Sequence, residues 1–353
     1  MAQKKRLLIY GSYGFTGNLI TERAINADLD IILSGRDEQK LKAQAKKWKV
    51  PYKRASLESP EELDAVLNNV SVVLHCAGPF IHTWKPVAEA CLRNNCHYLD
   101  ITGEIIVFES LRKMDKAFKE KNLMAMPGAG FDVVPTDCVA NYLSNLMPEA
   151  THLELAFKGL GGRISRGTAK TMVENLGMGG VVRQNGILIK VPAGYKTRDI
   201  NFQEKEEQCV SIPWGDISTA YTSTGIKNII VYTAMPPSTI RKMKWLKYLN
   251  FILKRDFAKR YLKKRIDKNP PGPSEEQRNN GRSLIWGEVR NSGGEVTQVV
   301  LVTAEGYKLT AEMSVEIASR VMNGDFKNGY QTPATAYGHN LIFSVEGSKW
   351  LEK

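Results

Sequence analysis

Two periodicities of hydrophobic and polar residues alternate along the first 150 residues of the chain. Short apolar runs of strand length are separated by segments in which apolar residues recur at helical spacing. The runs predict strands at Leu7–Tyr10, Ile31–Ser34, Tyr52–Ala55, Val70–Cys76, Tyr98–Thr102 and Leu123–Pro127. One helix between them has a marked start, because Ser59 precedes Pro60 and a capping glutamate follows at Glu62. Strands joined by crossover helices indicate an α/β fold with a parallel, doubly wound sheet.

The pattern changes after about residue 150, where runs of alternating polarity replace the buried ones. Strands are predicted at His152–Lys158, Ile187–Val191, Ile229–Ala234, Leu284–Arg290 and Val296–Thr303, with a hairpin turn at residues 292–294. We predict a second, α+β domain over residues 151–330, with a mixed or antiparallel sheet and a helix from about Thr310 to Met322. Thr332-Pro333 is typical of a helix start, and we expect a C-terminal helix of about 331–353 to pack back on the first domain, 1–150.

A glycine-rich turn follows the first predicted strand, and a helical pattern from about Thr16 to Ala27 follows the turn. This order of elements often holds a dinucleotide pyrophosphate, because the amides at a helix start carry partial positive charge and glycines let the backbone come close. We therefore predict that these residues bind a cofactor: Gly11, Ser12, Tyr13, Gly14, Phe15, Thr16 and Gly17. The alternative is a glycine turn in a fold that has lost its cofactor.

The end of the second predicted strand indicates which dinucleotide is bound. Enzymes that use NAD usually place Asp or Glu near this position to bind the ribose 2′-hydroxyl. This chain has Ser34, Gly35 and Arg36 there. Since a guanidinium attracts a 2′-phosphate and a carboxylate would repel it, we predict an NADP(H) site of the Rossmann type.

The fourth predicted strand ends in small residues that we also expect to contact the cofactor, because ligands of doubly wound sheets bind at the carboxyl ends of the strands. These residues are Cys76, Ala77, Gly78, Pro79 and Phe80. The alternative is a close turn between strand and helix.

Candidate catalytic residues lie at the ends of the next two strands and in the second domain. Asp100 shares a strand face with Thr102, and Glu104 follows; the group either faces the nicotinamide or consists of a satisfied buried Asp, a helix-capping Thr and a first-turn Glu. Asp132 follows a glycine-rich turn, where it could relay a proton or only fix the turn. Tyr307, which we place in the second domain, is the candidate proton donor.

Other chemistries find less support in the sequence. The Tyr-x-x-x-Lys pair of short-chain dehydrogenases does not occur, and the five histidines have no metal-ligand spacing, so we predict no metal site. Lys170 could face a substrate carbonyl or carboxylate, or simply be solvated.

Taken in order, these motifs resemble the saccharopine dehydrogenase-like oxidoreductase family, most closely its trans-acting enoyl reductase branch. The resemblance covers nearly the full length and is carried by residues 11–17, 33–36, 76–80, 97–104, 127–132, 167–169, 212–216, 223–225, 306–310 and 329–333. It implies an NADP-binding Rossmann domain, an α/β second domain with a C-terminal helix returning to the first, and a redox reaction on a carbonyl, imine or activated alkene. The first glycines are spaced more widely than the GxGxxG turn of saccharopine-forming enzymes, which makes lysine metabolism the weaker interpretation.

We therefore expect an NADP(H)-dependent oxidoreductase that reduces an enoyl or carbonyl group of a hydrophobic or lipid-like substrate. One alternative is a saccharopine-type amino-acid reductase. The other is a non-catalytic, NADP-binding, membrane-associated protein.

The composition is ordinary except for the distribution of charge along the chain. The chain has 353 residues, 42% hydrophobic and 24% charged, which is ordinary for a globular protein of two domains. Its five cysteines form no CxxC pair, which argues against a disulfide framework or structural zinc and fits a reduced, cytoplasmic compartment. We expect neither a signal peptide nor a membrane-spanning segment. The formal net charge is +12, of which residues 238–268 carry +10.

This basic segment combines cations with an apolar stripe at helical spacing. The stripe consists of Met243, Leu246, Leu249, Leu253, Phe257 and Tyr261. Such a helix could lie on an anionic membrane surface, bind an acidic carrier protein, or pack its stripe on its own domain. A peripheral location on the inner membrane face and a homodimer are further possibilities. Nucleic acid is not an expected partner, because no recognised binding module accompanies the charge.

Overall fold

The computed structural model describes residues 5–174, 176–246 and 255–351. The chain forms two compact units, one of Met1–Val134 with Tyr307–Ala336, and the other of Pro135–Gly306 with Tyr337–Lys353. The predicted domains had their boundary near residue 150, whereas the chain leaves the first unit at Val134 and returns to it at Tyr307. Each unit is therefore built from two separate stretches of sequence.

The strands and helices of both units are numbered in chain order. The strands are β1 (Leu7–Tyr10), β2 (Ile31–Gly35), β3 (Tyr52–Arg54), β4 (Val72–His75), β5 (His97–Asp100), β6 (Met124–Met126), β7 (His152–Leu160), β8 (Gly180–Gln184), β9 (Ile187–Val191), β10 (Thr197–Asn201), β11 (Glu206–Ser211), β12 (Asn228–Ala234), β13 (Arg282–Arg290), β14 (Val296–Ala304), β15 (Gly329–Tyr330) and β16 (Lys349–Leu351). The helices are α1 (Phe15–Asn26), α2 (Glu38–Trp48), α3 (Pro60–Leu67), α4 (Trp84–Asn94), α5 (Ile105–Arg112), α6 (Asp115–Glu120), α7 (Val134–Leu146), α8 (Arg166–Glu174), α9 (Asp216–Thr224), α10 (Pro237–Leu246), α11 (Asp256–Ile266), α12 (Glu275–Asn280), α13 (Gly306–Met322) and α14 (Pro333–Tyr337).

The first unit contains a parallel, doubly wound sheet, which confirms the predicted fold class. Its strand order is β15-β6-β5-β4-β1-β2-β3, and every pair in that path is parallel. All residues of β1, β4 and β5 are buried, as expected for strands covered on both faces by helices. Since every strand points the same way, their carboxyl ends lie along one edge of the sheet, where such folds bind their ligands.

Local sequence accounts for the helix starts in this unit. Ser59 accepts a hydrogen bond from the Glu62 amide at the start of α3, with proline in the first turn as predicted. Asp37 caps α2 in the same way by accepting from the Lys40 amide. These caps fix where each helix leaves the strand before it.

The second unit contains a mixed sheet, which confirms the predicted α+β character. Its main path is β10-β11-β12-β7-β13-β14-β16, and β8 and β9 branch from β12. β12 and β7 are parallel, whereas the neighbouring pairs are antiparallel, including the predicted hairpin of β13 and β14. A Cβ at Gly287 of β13 would lie 2.7 Å from Leu143, so glycine is what lets α7 approach this face.

This second sheet curls strongly over its other face. Arg198 of the edge strand β10 pairs with Glu288 of β13 at 2.6 Å, although three strands separate β10 from β13 in the path. At the two edges, Gln203 Nε2 donates to the Leu351 carbonyl at 3.4 Å. The curl encloses an apolar core that includes Phe202, Tyr232 and Trp286.

The C-terminal segment differs from its prediction. A single helix over about 331–353 was expected to pack on the first domain, but the segment forms α14, a 3₁₀ turn at His339–Ser344 and then β16. β16 pairs with β14 of the second sheet, because the extended Lys349–Leu351 can complete that sheet's edge. Only the start of the segment, through Ala336, belongs to the first unit.

The basic segment is not one continuous helix. Arg255 has extended backbone, with φ −76° and ψ 140°, so α11 begins after a break in the helical backbone. Leu249 and Leu253 of the predicted stripe lie outside the described residues. Within the described ranges, no helix combines the length and apolar character that crossing a membrane requires.

Candidate functional site

The glycine turn between β1 and α1 is closed by backbone contacts that leave no room for side chains. Gly11 has φ +84°, and a Cβ there would lie 2.8 Å from the Cβ of Ala77. A Cβ at Gly17 would collide with the Gly11 carbonyl oxygen. The turn therefore needs glycine at both positions, and it lies against Ala77 in the predicted turn after β4.

The helix α1 starts at a glycine. Gly14 is the N-cap residue, and no side chain supplies a capping hydrogen bond there. A Cβ at Gly14 would meet only the Gly11 carbonyl oxygen, at 3.3 Å. A helix start with partial positive charge, and with glycine at its N-cap, fits a pyrophosphate, so the residues present suit a dinucleotide.

Two polar side chains that the sequence analysis overlooked brace this turn. The Ser12 hydroxyl donates to Gln44 Oε1 at 2.8 Å, and Gln44 Nε2 donates back to the Ser12 carbonyl at 2.8 Å. Gln44 Nε2 also reaches Asn18 Oδ1 at 2.8 Å. The available signal was a glutamine beside Leu41 and Ala45, on the apolar face of α2. Ser12 is fully buried, so its side chain shapes the turn and does not face a ligand.

Two charged residues, Arg36 and Asp37, follow the end of β2. Arg36 is exposed and forms no ion pair within the described part of the chain. Asp37 accepts from the Lys40 amide at 3.1 Å and pairs with Lys40 Nζ at 3.1 Å, and these interactions lower the pKa of its carboxyl group. The carboxylate next to Arg36 is thus held by α2, which leaves Arg36 as the available charge at the strand end.

Tyr13 connects the glycine turn to the same strand end. Its hydroxyl accepts a hydrogen bond from the Asp37 amide at 3.2 Å, and its ring would lie 2.7 Å from a Cβ at Gly35. Ser34 is buried and donates to the Lys53 carbonyl at 2.8 Å. Tyr13, Gly35 and Arg36 therefore lie together, whereas Ser34 joins β2 to β3.

The turn after β4 is fixed by Glu104. Its two carboxylate oxygens accept hydrogen bonds from the Phe80 and Ile81 amides, each at 2.8 Å. The Phe80 ring turns into the core and packs edge-on against His75, with 5.2 Å between centroids. Ala77, one of the predicted cofactor residues in this turn, lies against Gly11 of the glycine turn.

Asp100 at the end of β5 has both carboxylate oxygens occupied. Oδ2 accepts from the Tyr98 hydroxyl at 2.6 Å, and Oδ1 accepts from the Thr102 and Gly128 amides, each at 2.9 Å. Burial raises the pKa of the carboxyl group to about 6, although these donors oppose the shift. The geometry favours the alternative of a satisfied buried carboxylate that ties the ends of β5 and β6 together.

Asp132 has a different environment at the turn after β6. A Cβ at Gly103 would lie 2.8 Å from its Oδ2, so the carboxyl group sits against the backbone that follows β5. Burial, and secondarily the charge of Glu104, raises the pKa of Asp132 to about 7. A carboxyl group that titrates near neutral pH can hold or release a proton under ordinary conditions. Its catalytic role stays a prediction.

Tyr307 belongs to the first unit and not to the second domain from which it was predicted to come. It lies in the first turn of α13, with its ring edge-on to Phe15 of the glycine turn at 5.3 Å. One turn further along, the Thr310 hydroxyl accepts from the Phe131 amide at 3.0 Å. The start of α13 therefore contacts both the glycine turn and the turn that carries Asp132.

The carboxyl edge of the first sheet thus gathers the glycine turn, Arg36, the turn after β4, Asp132 and Tyr307. Lys170 lies elsewhere, in the second unit, where it pairs with Asp267 at 2.5 Å. His75 is buried and burial lowers its pKa to about 3, which keeps it neutral. No cluster of His, Cys, Asp and Glu suited to a metal ion occurs among the residues that the structure describes.

Comparison with known proteins agrees with this geometry. Residues 7–126 match the saccharopine dehydrogenase NADP-binding domain family. A human saccharopine dehydrogenase-like oxidoreductase is 29% identical over 170 residues, and a trans-acting enoyl reductase of Mycobacterium ulcerans is 28% identical over 160 residues. Each alignment covers 42% of this chain, and the chain spans only 40% and 38% of the lengths of these two relatives.

Two further similarities extend over nearly the whole chain. A lipid droplet localized protein of Caenorhabditis elegans is 24% identical, with 97% of this chain and 96% of that protein covered. The structure of saccharopine dehydrogenase (L-Glu forming) from Saccharomyces cerevisiae superposes with a TM-score of 0.68 at 14% identity, covering 99% of this chain and 100% of that one. The structural likeness establishes a common fold.

These matches confirm the family resemblance and the nicotinamide cofactor predicted from the sequence. Residues 7–126 match the saccharopine dehydrogenase NADP-binding domain family, and the chain is similar to saccharopine dehydrogenase-like oxidoreductases and to trans-acting enoyl reductases.

Proposed function

We propose that this protein is an NADPH-dependent reductase of an enoyl or carbonyl group in a hydrophobic substrate. One observation carries the choice of cofactor: Arg36 forms no ion pair with another described residue, while the neighbouring Asp37 is held by α2. A guanidinium attracts a 2′-phosphate, and the carboxylate next to Arg36 is bonded to α2 and is not available to the 2′-hydroxyl. This argument supports NADP(H) over NAD(H).

In this proposal, the residues of the first unit have separate roles in holding the cofactor. The amides of the α1 start, kept open by Gly11, Gly14 and Gly17, bind the pyrophosphate. Glu104 holds the turn after β4 in place through the Phe80 and Ile81 amides. When bound, NADPH supplies the hydride that adds to one carbon of the substrate and leaves as NADP⁺.

Reduction also requires a proton on the atom next to the carbon that accepts the hydride, and we assign it to Asp132. Its carboxyl group has a pKa near 7, so at neutral pH a substantial fraction carries a transferable proton. Asp100 is a positioning residue in this scheme, because both of its oxygens are already bonded. Tyr307 supports the glycine turn through Phe15.

The names of two relatives support a hydrophobic substrate: a trans-acting enoyl reductase and a lipid droplet localized protein. A substrate panel tests this part of the proposal by following NADPH absorbance with long-chain enoyl thioesters and long-chain aldehydes. Glutamate with an amino-acid semialdehyde, in the same panel, tests the saccharopine-type alternative. Turnover with that pair alone would replace the proposed substrate class, and NADPH binding without any turnover would favour the non-catalytic alternative.

The cofactor assignment is tested by Arg36→Ala. We expect NADPH affinity to fall roughly 10- to 100-fold, the usual effect of losing a charge-assisted phosphate contact, with NADH affinity nearly unchanged. Isothermal titration calorimetry with both cofactors measures the difference. The matched control is Arg23→Ala, which removes an exposed arginine from the opposite end of α1. A wild-type preference for NADH, or equal losses in both variants, would contradict the assignment.

A further inference from the structure

The helix α11 has an inner face that is partly buried and an outer face that is exposed. Its inner face consists of residues that are partly buried: Ala258, Lys259, Leu262, Lys263 and Ile266. Lys259 and Lys263 both pair with Glu174 at the end of α8, and the two helices pack together. The inner face therefore uses its apolar side chains and both of its lysines to attach α11 to the second unit.

The outer face of α11 presents aromatic rings. Phe257 is 63% exposed and Tyr261 is 61% exposed. They are four residues apart, so the rings lie one above the other on the same side of the helix. These two residues belong to the apolar stripe predicted from the sequence, and α11 does not bury that stripe against its own domain.

Cations surround these rings on the same outer face. The exposed cations are Arg260, Lys264 and Arg265, three or four residues from a ring, and Lys268 just after the end of the helix. None of them forms an ion pair with another residue of the described ranges. The inner lysines form ion pairs with Glu174, whereas the outer cations form none with other described residues. The outer cations are therefore available to an anionic partner.

We propose that the outer face of α11 binds the surface of an anionic phospholipid membrane. The rings enter the headgroup region, where amphipathic aromatic side chains are stable, and the four cations meet lipid phosphates. Charge complementarity favours an anionic membrane as the partner, because four cations without ion pairs to other described residues attract a surface with many negative charges. The helix is attached to its unit by Glu174, so the surface exists before binding.

An acidic protein would also attract the cations, but it leaves the rings without a defined partner. A bilayer interface accommodates both components of the face at once. Trp245, 73% exposed at the end of α10, gives the neighbouring part of the basic segment the same combination of an aromatic ring and cations. This inference concerns the second unit and is independent of the proposed reductase activity.

Vesicle sedimentation with the full chain tests the proposal. We expect the protein to sediment with vesicles of phosphatidylcholine containing about 30% phosphatidylglycerol, and much less with phosphatidylcholine alone. Raising the salt to about 0.5 M should weaken binding, because it screens the exposed cations. Arg260→Glu with Lys264→Glu should weaken binding by at least about tenfold, and Phe257→Ala with Tyr261→Ala should weaken it at any salt concentration.

The matched control is Lys113→Glu with Lys116→Glu, which makes the same change in net charge on exposed lysines of the first unit. NADPH titration of each variant checks that the fold is intact, and it separates failure of this proposal from failure of the proposed function. Equal losses in the control and in the α11 variants would overturn the proposal. So would absence of binding to anionic vesicles, whether or not the chain is retained on an immobilised acidic carrier protein.

Discussion

The two candidate carboxylates at the carboxyl edge have pKa values that are raised to different extents. Asp100 accepts three hydrogen bonds and joins two strand ends, whereas Asp132 has its pKa raised to about 7 by burial and by Glu104. Sequence placed both residues at strand ends but could not distinguish them, because the distinction depends on neighbours from other strands. Arg36 could be predicted as a cofactor contact from its position after β2 alone.

Asp132→Asn tests the proton assignment through the pH dependence of activity. With Asp132 as the acid, wild-type turnover should decline as pH rises above about 7, because the protonated fraction falls. The variant should be slower by roughly 10²- to 10⁴-fold and should lack this decline. Steady-state rates between pH 5 and about 9 measure both effects. An unchanged profile in the variant would assign the proton to another group.

The same substitution has a consequence for stability. A carboxyl group whose pKa is higher in the folded state than in the unfolded state binds protons more tightly when folded. Its contribution is fully present below the unfolded value of 3.8 and is lost as pH rises through about 7. Asp132→Asn should therefore raise Tm at pH 8 relative to wild type, with a smaller gain at acid pH, and a thermal shift series checks the sign.

Tyr307 can be assigned by two substitutions. Its ring packs on Phe15, so Tyr307→Phe should keep NADPH affinity and turnover, while Tyr307→Ala should lose affinity as the glycine turn loosens. Calorimetry with NADPH and the rate of NADPH oxidation measure the two properties. Loss of turnover in Tyr307→Phe with unchanged affinity would restore the hydroxyl as proton donor, as the sequence hypothesis had it.

At the scale of elements, periodicity predicted the apolar strands, including the exposed β9, and missed others such as β10 and β16. β1, β4 and β5 are continuous apolar runs, which a sequence displays directly. β10 is polar at most positions and lies at a sheet edge, so nothing in its own residues marks it as a strand. The predicted C-terminal helix included the residues of β16, because their extended backbone depends on pairing with β14 and is not indicated by their own sequence.

The curl of the second sheet also depends on contacts that no local pattern contains. Arg198 joins β10 to Glu154 and Glu288, which are mostly buried, on two other strands. Arg198→Ala would leave both carboxylates without their partner, and we expect a loss of about 1–3 kcal/mol, less than for a fully buried pair because Arg198 is partly exposed. Thermal unfolding against Arg282→Ala, whose pair with Glu204 is more exposed, provides the comparison. Equal shifts in Tm would mean that the curl does not depend on Arg198.

At the scale of the whole molecule, the sequence predicted two domains and the concentration of charge in residues 238–268. It could not predict that each compact unit is discontinuous, because unit membership follows from packing and not from composition. The stretch Tyr307–Ala336 follows the second unit's strands in sequence but completes the first unit. α13 therefore contacts the glycine turn, although nearly three hundred residues separate them.

The pairing of β15 with β6 has a consequence for how the chain is made. A ribosome releases β6 about 200 residues before β15, and the stretch Pro135–Gly306 of the second unit emerges between them. During that interval the nascent chain exposes the unpaired amides and carbonyls of β6 at a sheet edge, where other chains can pair with them. The first unit can be completed only after β15 has left the ribosome, which makes the interval between β6 and β15 the time when this protein most needs a chaperone.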